Sequence, residues 1–248
     1  MSICIILAAS QPNSDHLQMP KPASKQVRRS LTDEVRDHIR DGIAEGRYLP
    51  GERLIEGTIA DELGISRTPI REAMRILEAE GLIAMEPWKG ITVAVLSHRQ
   101  VSDFYAYREL IEGIAAEMAA KVITDDDIAL LDESLKTLEQ DLDPTGSELS
   151  SRNEQFHQMI FDIADNRFLK QSEEVINTAK ILIWKPIHRN NERWKSAQAE
   201  HRKLFNALRD RDPLAAKAAA QEHVRNSGLT RVAAMVNEEL DQQRSISK

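Results

Sequence analysis

The sequence predicts a mainly α-helical protein that combines an N-terminal winged helix-turn-helix with a C-terminal antiparallel bundle of about six helices. Two short helical segments separated by Gly64 have the spacing of a helix-turn-helix. Two short β-type runs follow directly, joined by a turn that contains proline and glycine. From residue 98 onward every segment has helical periodicity, and no further strand pattern occurs.

Composition narrows the class of protein without identifying a partner. The 248 residues are 41% hydrophobic, which is enough to bury the cores of two modest domains. Aromatic residues make up 4%, so the helices are expected to pack on aliphatic side chains. The net charge is -7, and the first 98 residues hold 12 basic and 14 acidic side chains. Binding to nucleic acid would therefore depend on a local stripe of positive charge rather than on bulk charge.

The N-terminal segment 1–28 is expected to form a disordered leader. Residues 3–9 are apolar, but they lack a preceding basic segment and are too short to span a bilayer, which argues against a signal peptide. Met19 is an alternative start, because organised sequence begins after it. The single cysteine, Cys4, excludes an internal disulfide framework and fits a reducing compartment. No other segment approaches membrane-spanning length, so we expect a cytoplasmic protein without a membrane partner.

The predicted winged domain, residues 29–97, begins with a helix whose apolar residues recur every four positions from Leu31 until Gly46 ends the run. A turn carried by Pro-Gly follows. The helix-turn-helix comes next, at about 56–75, and its second helix stops at Gly81. These boundaries place three helices ahead of the β-type runs.

The β-type runs at 82–85 and 91–95 are joined by a turn at 86–90, and this hairpin would form the wing. Three helices and one hairpin are typical of a winged helix. Beyond them we expect a helical domain at 98–240 and a tail at 241–248. The predicted helices of this domain span 98–122, 125–142, 148–164, 167–188, 192–210 and 213–240.

Residues at the start of the second helix of the motif are candidate DNA contacts. Its buried face is defined by Ile70, Ala73, Met74 and Leu77. Arg67 and Arg71 lie one turn apart on the exposed face, near the helix end that usually meets base edges. Arginine suits this task, because its planar fork can donate two hydrogen bonds to guanine O6 and N7. Ser66, which is expected to cap the helix, and Thr68 are placed to hydrogen-bond phosphate.

The alternative for the arginines of this helix is a solvated role in which they pair with acidic neighbours. The preceding short helix, the glycine turn and the following wing favour DNA binding for the first two arginines. Arg75 is assigned the solvated role, because it sits deeper along the helix. At the wing tip, Lys89 and the adjacent Gly90 are candidate contacts to the minor groove or a phosphate, and Trp88 is either a contact or part of the packing of the wing.

Three histidines in the predicted bundle form a candidate metal site. Asn153 and His157 are four residues apart and therefore share one face of a helix. His201 and His223 lie on consecutive helices, 10 residues before and 12 residues after Arg211 at their connection. In an antiparallel hairpin these offsets bring both side chains to about the same level. Three imidazoles and one oxygen ligand suit a divalent transition metal, whereas the alternative for any one histidine is a hydrogen-bonded core side chain.

The N-terminal part resembles the GntR family of winged-helix regulators. The resemblance covers about Leu31 to Val95. It rests on the segments 52–54 (ERL), 60–73 (ADELGISRTPIREA) and 77–83 (LEAEGLI), with Pro87, Gly90 and Val93 in the wing. Family members often carry arginine or histidine at the wing tip, where this chain has Trp88-Lys89. The resemblance implies a homodimer that binds double-stranded operator DNA at a short palindrome.

Residues 98–236 resemble the FCD ligand-binding domain of the FadR subfamily, and the count of six helices is closer to the VanR branch. The supporting segments include 107–112 (YRELIE), 153–157 (NEQFH), Glu200-His201 and Glu222-His223. Three histidines and an aspartate hold the ion in metal-binding members. The resemblance therefore implies that His157, His201 and His223 bind a metal such as Zn, Ni or Mn. Asn153 stands where the aspartate often is; it would ligate through its carbonyl oxygen without charge, which implies weaker or more exchangeable metal.

Arg108 matches the cavity arginine of this family, which the resemblance implicates in holding a carboxylate; the alternative is a salt bridge to Glu112, four residues further on. Together these features predict a ligand-responsive transcriptional repressor whose operator affinity is modulated by a small organic acid at the metal site. A metal-dependent hydrolase or lyase is one alternative, although no paired acid, activated serine or cysteine is evident beside the histidines. A dedicated metal-ion sensor is another.

Overall fold

The structure is a computed structural model that describes residues 30–139, 146–183 and 191–246. Within these ranges the chain forms nine helices and one two-stranded antiparallel sheet, which confirms the predicted fold class. The predicted leader at 1–28 lies outside the described residues. Among the helices that are described, none is long and apolar enough to cross a membrane.

The boundaries of the elements agree closely with the sequence pattern. The N-terminal elements are α1 (Leu31–Ala44), α2 (Glu56–Leu63), α3 (Arg67–Ala79), β1 (Ile83–Glu86) and β2 (Gly90–Val93). The C-terminal elements are α4 (His98–Val122), α5 (Asp125–Glu139), α6 (Gly146–Ala164), α7 (Arg167–Ile183), α8 (Asn191–Arg209) and α9 (Pro213–Ile246). The last helix continues beyond its predicted end at 240.

The turn between α2 and α3 depends on Gly64. This residue ends α2 in the left-handed conformation, with φ of 66°, which a side chain would disfavour. The apolar faces of the three N-terminal helices meet the sheet in one core, in which Ile39, Ile70 and Leu77 are fully buried. Burial of these faces fixes α3 on the core and leaves its opposite side in solvent.

The wing is a short hairpin extended by one further backbone contact. Ile83 pairs with Val93 and Glu86 with Gly90 in antiparallel register. Arg53, from the loop before α2, forms an isolated antiparallel bridge with Thr92. The loop therefore lies beside the wing rather than apart from it.

The helical domain is built around the long contact between α4 and α9. A capping box formed by Ser97 and Gln100 starts α4. Small side chains let the two helices approach closely: a Cβ on Gly113 would lie 2.7 Å from Gln221, and a Cβ on Gly228 would lie 2.8 Å from the Tyr105 ring. The remaining helices pack around this pair and enclose the second hydrophobic core.

The close contact at Gly228 gives a test of this packing. Replacing Gly228 by alanine forces a Cβ against the Tyr105 ring, and overpacking of this kind costs about 1–3 kcal/mol. The gain in helix propensity offsets roughly 1 kcal/mol of that cost. We expect Gly228→Ala to lower the free energy of unfolding in urea by about 1 kcal/mol. Leu214→Ala, at an exposed position near the start of the same helix, is the control and should change it by less than about 0.5 kcal/mol. Equal stability of Gly228→Ala and the unmodified chain would contradict the packing described here.

Candidate metal centre and DNA interface

Three helices of the C-terminal domain bring their histidines to one point. His157 on α6, His201 on α8 and His223 on α9 are all buried. One ring nitrogen of each lies within 4.8 Å of those of the other two. The antiparallel connection of α8 and α9 places His201 and His223 at one level, as the sequence offsets predict.

The spacing of the rings suits a single ion. Nε2 of His157 lies 3.2 Å from Nε2 of His201. Two nitrogens that bind the same Zn²⁺ at about 2.0–2.1 Å, at a tetrahedral angle, are about 3.3 Å apart. The ring centroids of His201 and His223 are 4.3 Å apart, and those of His157 and His223 are 5.0 Å apart. The donor set therefore fits a transition metal, for which neutral imidazole is a preferred ligand.

Two carboxylates orient the rings of His157 and His223. Oε2 of Glu112 lies 3.3 Å from Nδ1 of His157, and Oε2 of Glu200 lies 2.8 Å from Nδ1 of His223. A carboxylate that accepts a hydrogen bond from Nδ1–H leaves the Nε2 lone pair for a metal. The sequence pattern does not indicate these two carboxylates, and the structure places each beside a histidine. These glutamates come from α4 and from the residue before His201, and only the packing of the helices brings them to their partners.

Burial favours the neutral form of two of the rings, those of His157 and His201. Desolvation lowers the pKa of His157 to about 4, although the contact with Glu112 raises it. Desolvation also holds the pKa of His201 well below its ordinary value. The Nδ1 atom of His201 is buried and has no hydrogen-bond partner among the residues that the structure describes. Neutral imidazoles are the form that binds metals, so the environment favours ligation over protonation.

The surroundings of the histidine cluster include Asn153 and a small cavity. Asn153 lies on α6, one turn before His157, and is half-buried, so its role as a fourth ligand stays a prediction. A cavity of about 10 Å³ adjoins His157 and Glu112, which is room for about one water molecule.

Arg108 is part of a buried ion pair. Its guanidinium donates to Oε1 of Glu112 at 2.7 Å and lies over the rings of Phe104 and Tyr105, with Cζ 5.7 Å and 5.2 Å from their centroids. Burial would raise the pKa of Glu112, but the charge of Arg108 and the contact with His157 hold it well below its ordinary value. The salt bridge expected as one alternative is thus formed. The carboxylate-binding role stays a prediction.

The candidate DNA contacts of α3 lie on its exposed face. Arg67, Thr68 and Arg71 are exposed at the start of the helix. Ser66 occupies the N-cap position by its backbone, but its hydroxyl makes no capping hydrogen bond, so the expected side-chain cap is not formed. Nε of Arg71 lies 2.8 Å from Oε2 of Glu56, an exposed pair that DNA can replace at little cost.

The wing tip presents an aromatic side chain to solvent. Trp88 is fully exposed and has a φ of 71°, which is unusual for a bulky residue. It therefore does not pack on the wing. Lys89 pairs with Glu86 at 2.7 Å. The exposed guanidinium of Arg53 lies about 3.4 Å from where a Cβ on Gly90 would stand. Sequence reasoning missed Arg53 as a candidate contact, because only the bridge to the wing places it there.

Comparison with known proteins gives the same two-part organisation. Residues 31–93 match the family model described as bacterial regulatory proteins, gntR family, and residues 103–226 match that of the FCD domain. The Exu regulon transcriptional regulator of Escherichia coli (strain K12) is 31% identical over 221 residues, which covers 80% of this chain and 83% of the relative. The HTH-type transcriptional regulator YdhC of Bacillus subtilis (strain 168) is 29% identical over 194 residues, with coverage of 76% and 83%. The solved structure of E. coli McbR/YncC has a TM-score of 0.69 at 22% identity over 84% of this chain and 100% of that one, which shows a shared fold.

A half-buried carboxyl near the cluster gives a pH test. Burial, with a smaller effect of Asp162, raises the pKa of Glu173 on α7 to about 7, above the model-compound value of 4.5. The unfolded chain ionises this group more readily, so its contribution to stability is present below the unfolded pKa and is lost as the pH rises through 7. Because solvent reaches much of the side chain, we expect Glu173→Gln to raise the free energy of unfolding at pH 8 by only about 1 kcal/mol.

The measurement is urea unfolding of both proteins at pH 5 and pH 8. The gain should shrink at pH 5, where the folded protein already keeps Glu173 protonated. Glu174→Gln, at the exposed neighbouring position, serves as the control. An identical pH dependence of the unmodified chain and Glu173→Gln would contradict the raised pKa.

Proposed function

The chain belongs to the gntR family of bacterial regulatory proteins and carries an FCD domain, so it is a transcriptional regulator, and we propose that a small organic acid bound at a metal centre in its helical domain controls its affinity for operator DNA. The observation that carries this proposal is the buried cluster of His157, His201 and His223, whose ring nitrogens lie within 4.8 Å of one another. The enzyme alternative is set aside, because both matching families consist of regulators.

The DNA-binding unit of the proposal is a homodimer. Two copies of α3 would enter successive major grooves of a short palindrome, about 34 Å apart, with Arg67 and Arg71 at base edges. Ser66 and Thr68 would bind phosphate, and Lys89 and Gly90 would lie at the minor groove. Dimerisation through the helical domain is supported by exposed apolar side chains on the neighbouring helices α4 and α9, namely Leu110, Ile114 and Leu229.

The metal would be held by the three histidines, with Asn153 as a neutral oxygen ligand. When bound, a divalent ion such as Zn, Ni or Mn supplies a positive charge to which the oxygen of an acid can bind. Glu112 and Glu200 hold the rings of His157 and His223 in place.

Arg108 would bind the acid group of the effector. To do so it must give up part of its pair with Glu112, whose other oxygen contacts His157. Entry of an acid would therefore disturb a buried network that also positions a metal ligand. The resulting change in packing would weaken operator binding, as in a repressor that is released by its effector. The coupling needed is modest, about 1–3 kcal/mol.

The remaining rival is a metal sensor in which the ion alone is the signal. The discriminating experiment titrates operator affinity with Zn, Ni or Mn, with and without lactate, succinate or D-glucuronate. A response to metal alone that no acid alters would favour the sensor. A thermal-shift screen of the same acids with each metal identifies the effective combination.

The base-contacting role predicts the effect of substitutions on α3. Arg67→Ala and Arg71→Ala should each weaken specific operator binding by roughly 10- to 100-fold, because a bidentate contact to a base contributes about 1–3 kcal/mol. Operators selected from random duplexes serve as the probe in gel-shift and footprint assays. Arg75→Ala is the matched control on the same helix and should retain specific binding, and all three variants should remain dimers. Unaltered footprints from Arg67→Ala and Arg71→Ala would refute the assignment.

The metal role predicts the result of removing two ligands. The double variant His201→Ala and His223→Ala should lose bound transition metal and the thermal stabilisation that effector confers. Metal content is measured after dialysis, together with a circular dichroism spectrum that checks folding. His98→Ala, which changes a histidine at the start of α4 outside the cluster, should leave metal content unchanged. A double variant with the same metal content as the unmodified chain would refute the proposed site.

A further inference from the structure

The first turn of α2 contacts both arginines that are proposed to read bases. Glu56 is the first residue of this helix, and Gly57 is the second. Oε2 of Glu56 accepts a hydrogen bond from Nε of Arg71 at 2.8 Å. A Cβ on Gly57 would lie 3.4 Å from Nη2 of Arg67. One turn of α2 therefore lies against the guanidinium groups of two residues of α3.

The contact with Glu56 uses only one edge of the Arg71 guanidinium. A guanidinium has five N–H donors, one on Nε and two on each Nη atom. Among the residues that the structure describes, Nε has a partner in Glu56 and the two Nη groups have none. Two hydrogen bonds to guanine O6 and N7 can be made by the Nη groups alone. Arg71 can therefore bind a base without breaking its pair with Glu56.

The carboxylate is held more firmly than the arginine that it contacts. The side chain of Glu56 is 27% exposed, whereas that of Arg71 is 60% exposed. The helix dipole favours a carboxylate in the first turn of α2. An exposed ion pair adds little to stability, so this pair would contribute to the direction of Arg71 rather than to folding. A side chain that is already ordered in the free protein also avoids part of the entropic cost of binding.

A cleft between α3 and the wing shows where Arg71 could turn if Glu56 were absent. The cleft has a volume of about 120 Å³, and Met85 and Ile91 of the wing line it. Glu78, two turns after Arg71 on α3, lines the same cleft. Without its partner on α2, the guanidinium would be free to turn into this space toward the carboxylate of Glu78. Such a side chain would have to be reordered before it could meet a base.

Gly57 leaves the space that the guanidinium of Arg67 occupies. A Cβ at this position would just touch Nη2 of Arg67, and the further atoms of a longer side chain would compete with the guanidinium for its place. Glycine weakens a helix relative to alanine, so helix formation does not account for a glycine here. The close approach of Arg67 does.

We propose that Glu56 and Gly57 are positioning residues for DNA recognition: Glu56 sets the direction of Arg71, and Gly57 leaves room for that of Arg67. The partner is the operator duplex, and the base at each contact is a guanine in the major groove. The inference rests on the proposed function, because it assumes that the two arginines read bases. It adds that the first turn of α2 determines how sharply they do so.

The first experiment measures the sequence preference of Glu56→Ala. The full-length protein is titrated at one salt concentration with an operator selected from random duplexes and with a duplex of scrambled sequence. The ratio of specific to non-specific affinity should fall about 3- to 10-fold, because Arg71 must then be ordered on binding. Affinity for the scrambled duplex should rise, because a negative charge near the phosphates is removed.

Single base-pair changes in the operator locate the effect. The base pair read by Arg71 is the one at which Arg71→Ala loses its preference. Glu56→Ala should relax the preference at that base pair and leave the base pair read by Arg67 unchanged. In an Arg71→Ala background, Glu56→Ala should cause no further fall in the ratio, as expected for two partners of one contact.

Two further variants separate position from charge. Glu56→Gln keeps a carbonyl oxygen that can accept from Nε, so it should retain more of the ratio than Glu56→Ala. Glu78→Ala removes a carboxylate from the same cleft. It should raise the affinity for both duplexes alike and leave the ratio unchanged.

The second experiment tests the space at Gly57. Gly57→Leu should relax the preference at the base pair read by Arg67 and preserve that at the base pair read by Arg71. Gly57→Ala, whose Cβ makes only an ordinary contact, should keep both preferences. Thermal melts verify folding, and Gly57→Gln replaces Gly57→Leu if the latter does not fold. Unchanged preference at the base pair read by Arg67 in the folded variant overturns the role of Gly57.

The outcomes separate the positioning role from the proposed function. An unchanged ratio in Glu56→Ala overturns the role of Glu56, and so does a higher ratio, which would mean that Glu56 competes with DNA for Arg71. An equal fall in affinity for both duplexes overturns it as well, because a structural defect acts on both. If Arg71→Ala itself keeps every base preference, the base-reading part of the proposed function fails together with the positioning role.

Discussion

The buried series of polar contacts from Arg108 through Glu112 to His157 is the constraint on which the rest of the helical domain depends. Each member is at least nine-tenths buried, so each is tolerated only while its neighbour supplies a hydrogen bond or an opposite charge. These contacts fix how α4 packs against α6. That arrangement, with the contact between Glu200 and His223, sets the directions in which the imidazole lone pairs point.

In the proposed function, the same network would let one site hold a metal and respond to an acid. Burial keeps His157 and His201 neutral, which suits ligation, while the single carboxylate of Glu112 serves both Arg108 and His157. Under that proposal, an anion that competes for Arg108 would change the partners of Glu112 and so act on the proposed metal ligands.

The DNA-binding face depends on a few local side chains rather than on the charge of the whole chain. The chain has a net charge of -7, so its attraction for DNA must come from a few side chains that face one way. Burial of one side of α3 leaves Arg67 and Arg71 in solvent. The wing adds the exposed Trp88, and Arg53 reaches Gly90 from the loop before α2. The loop before α2 and the wing lie side by side because Arg53 and Thr92 form an antiparallel bridge.

The sequence by itself determined the helices, the wing and the placement of the histidines, because these features depend on local periodicity and on glycines such as Gly64. An i, i+4 spacing predicts a shared helical face, and equal offsets about a turn predict a shared level, so His157, His201 and His223 could be proposed before any tertiary contact was known. Only the tertiary structure decided that Glu112 and Glu200 orient the rings and that Arg53 joins the wing. Those contacts join segments far apart in sequence. Their formation is set by how whole helices pack, which no local pattern of residues specifies.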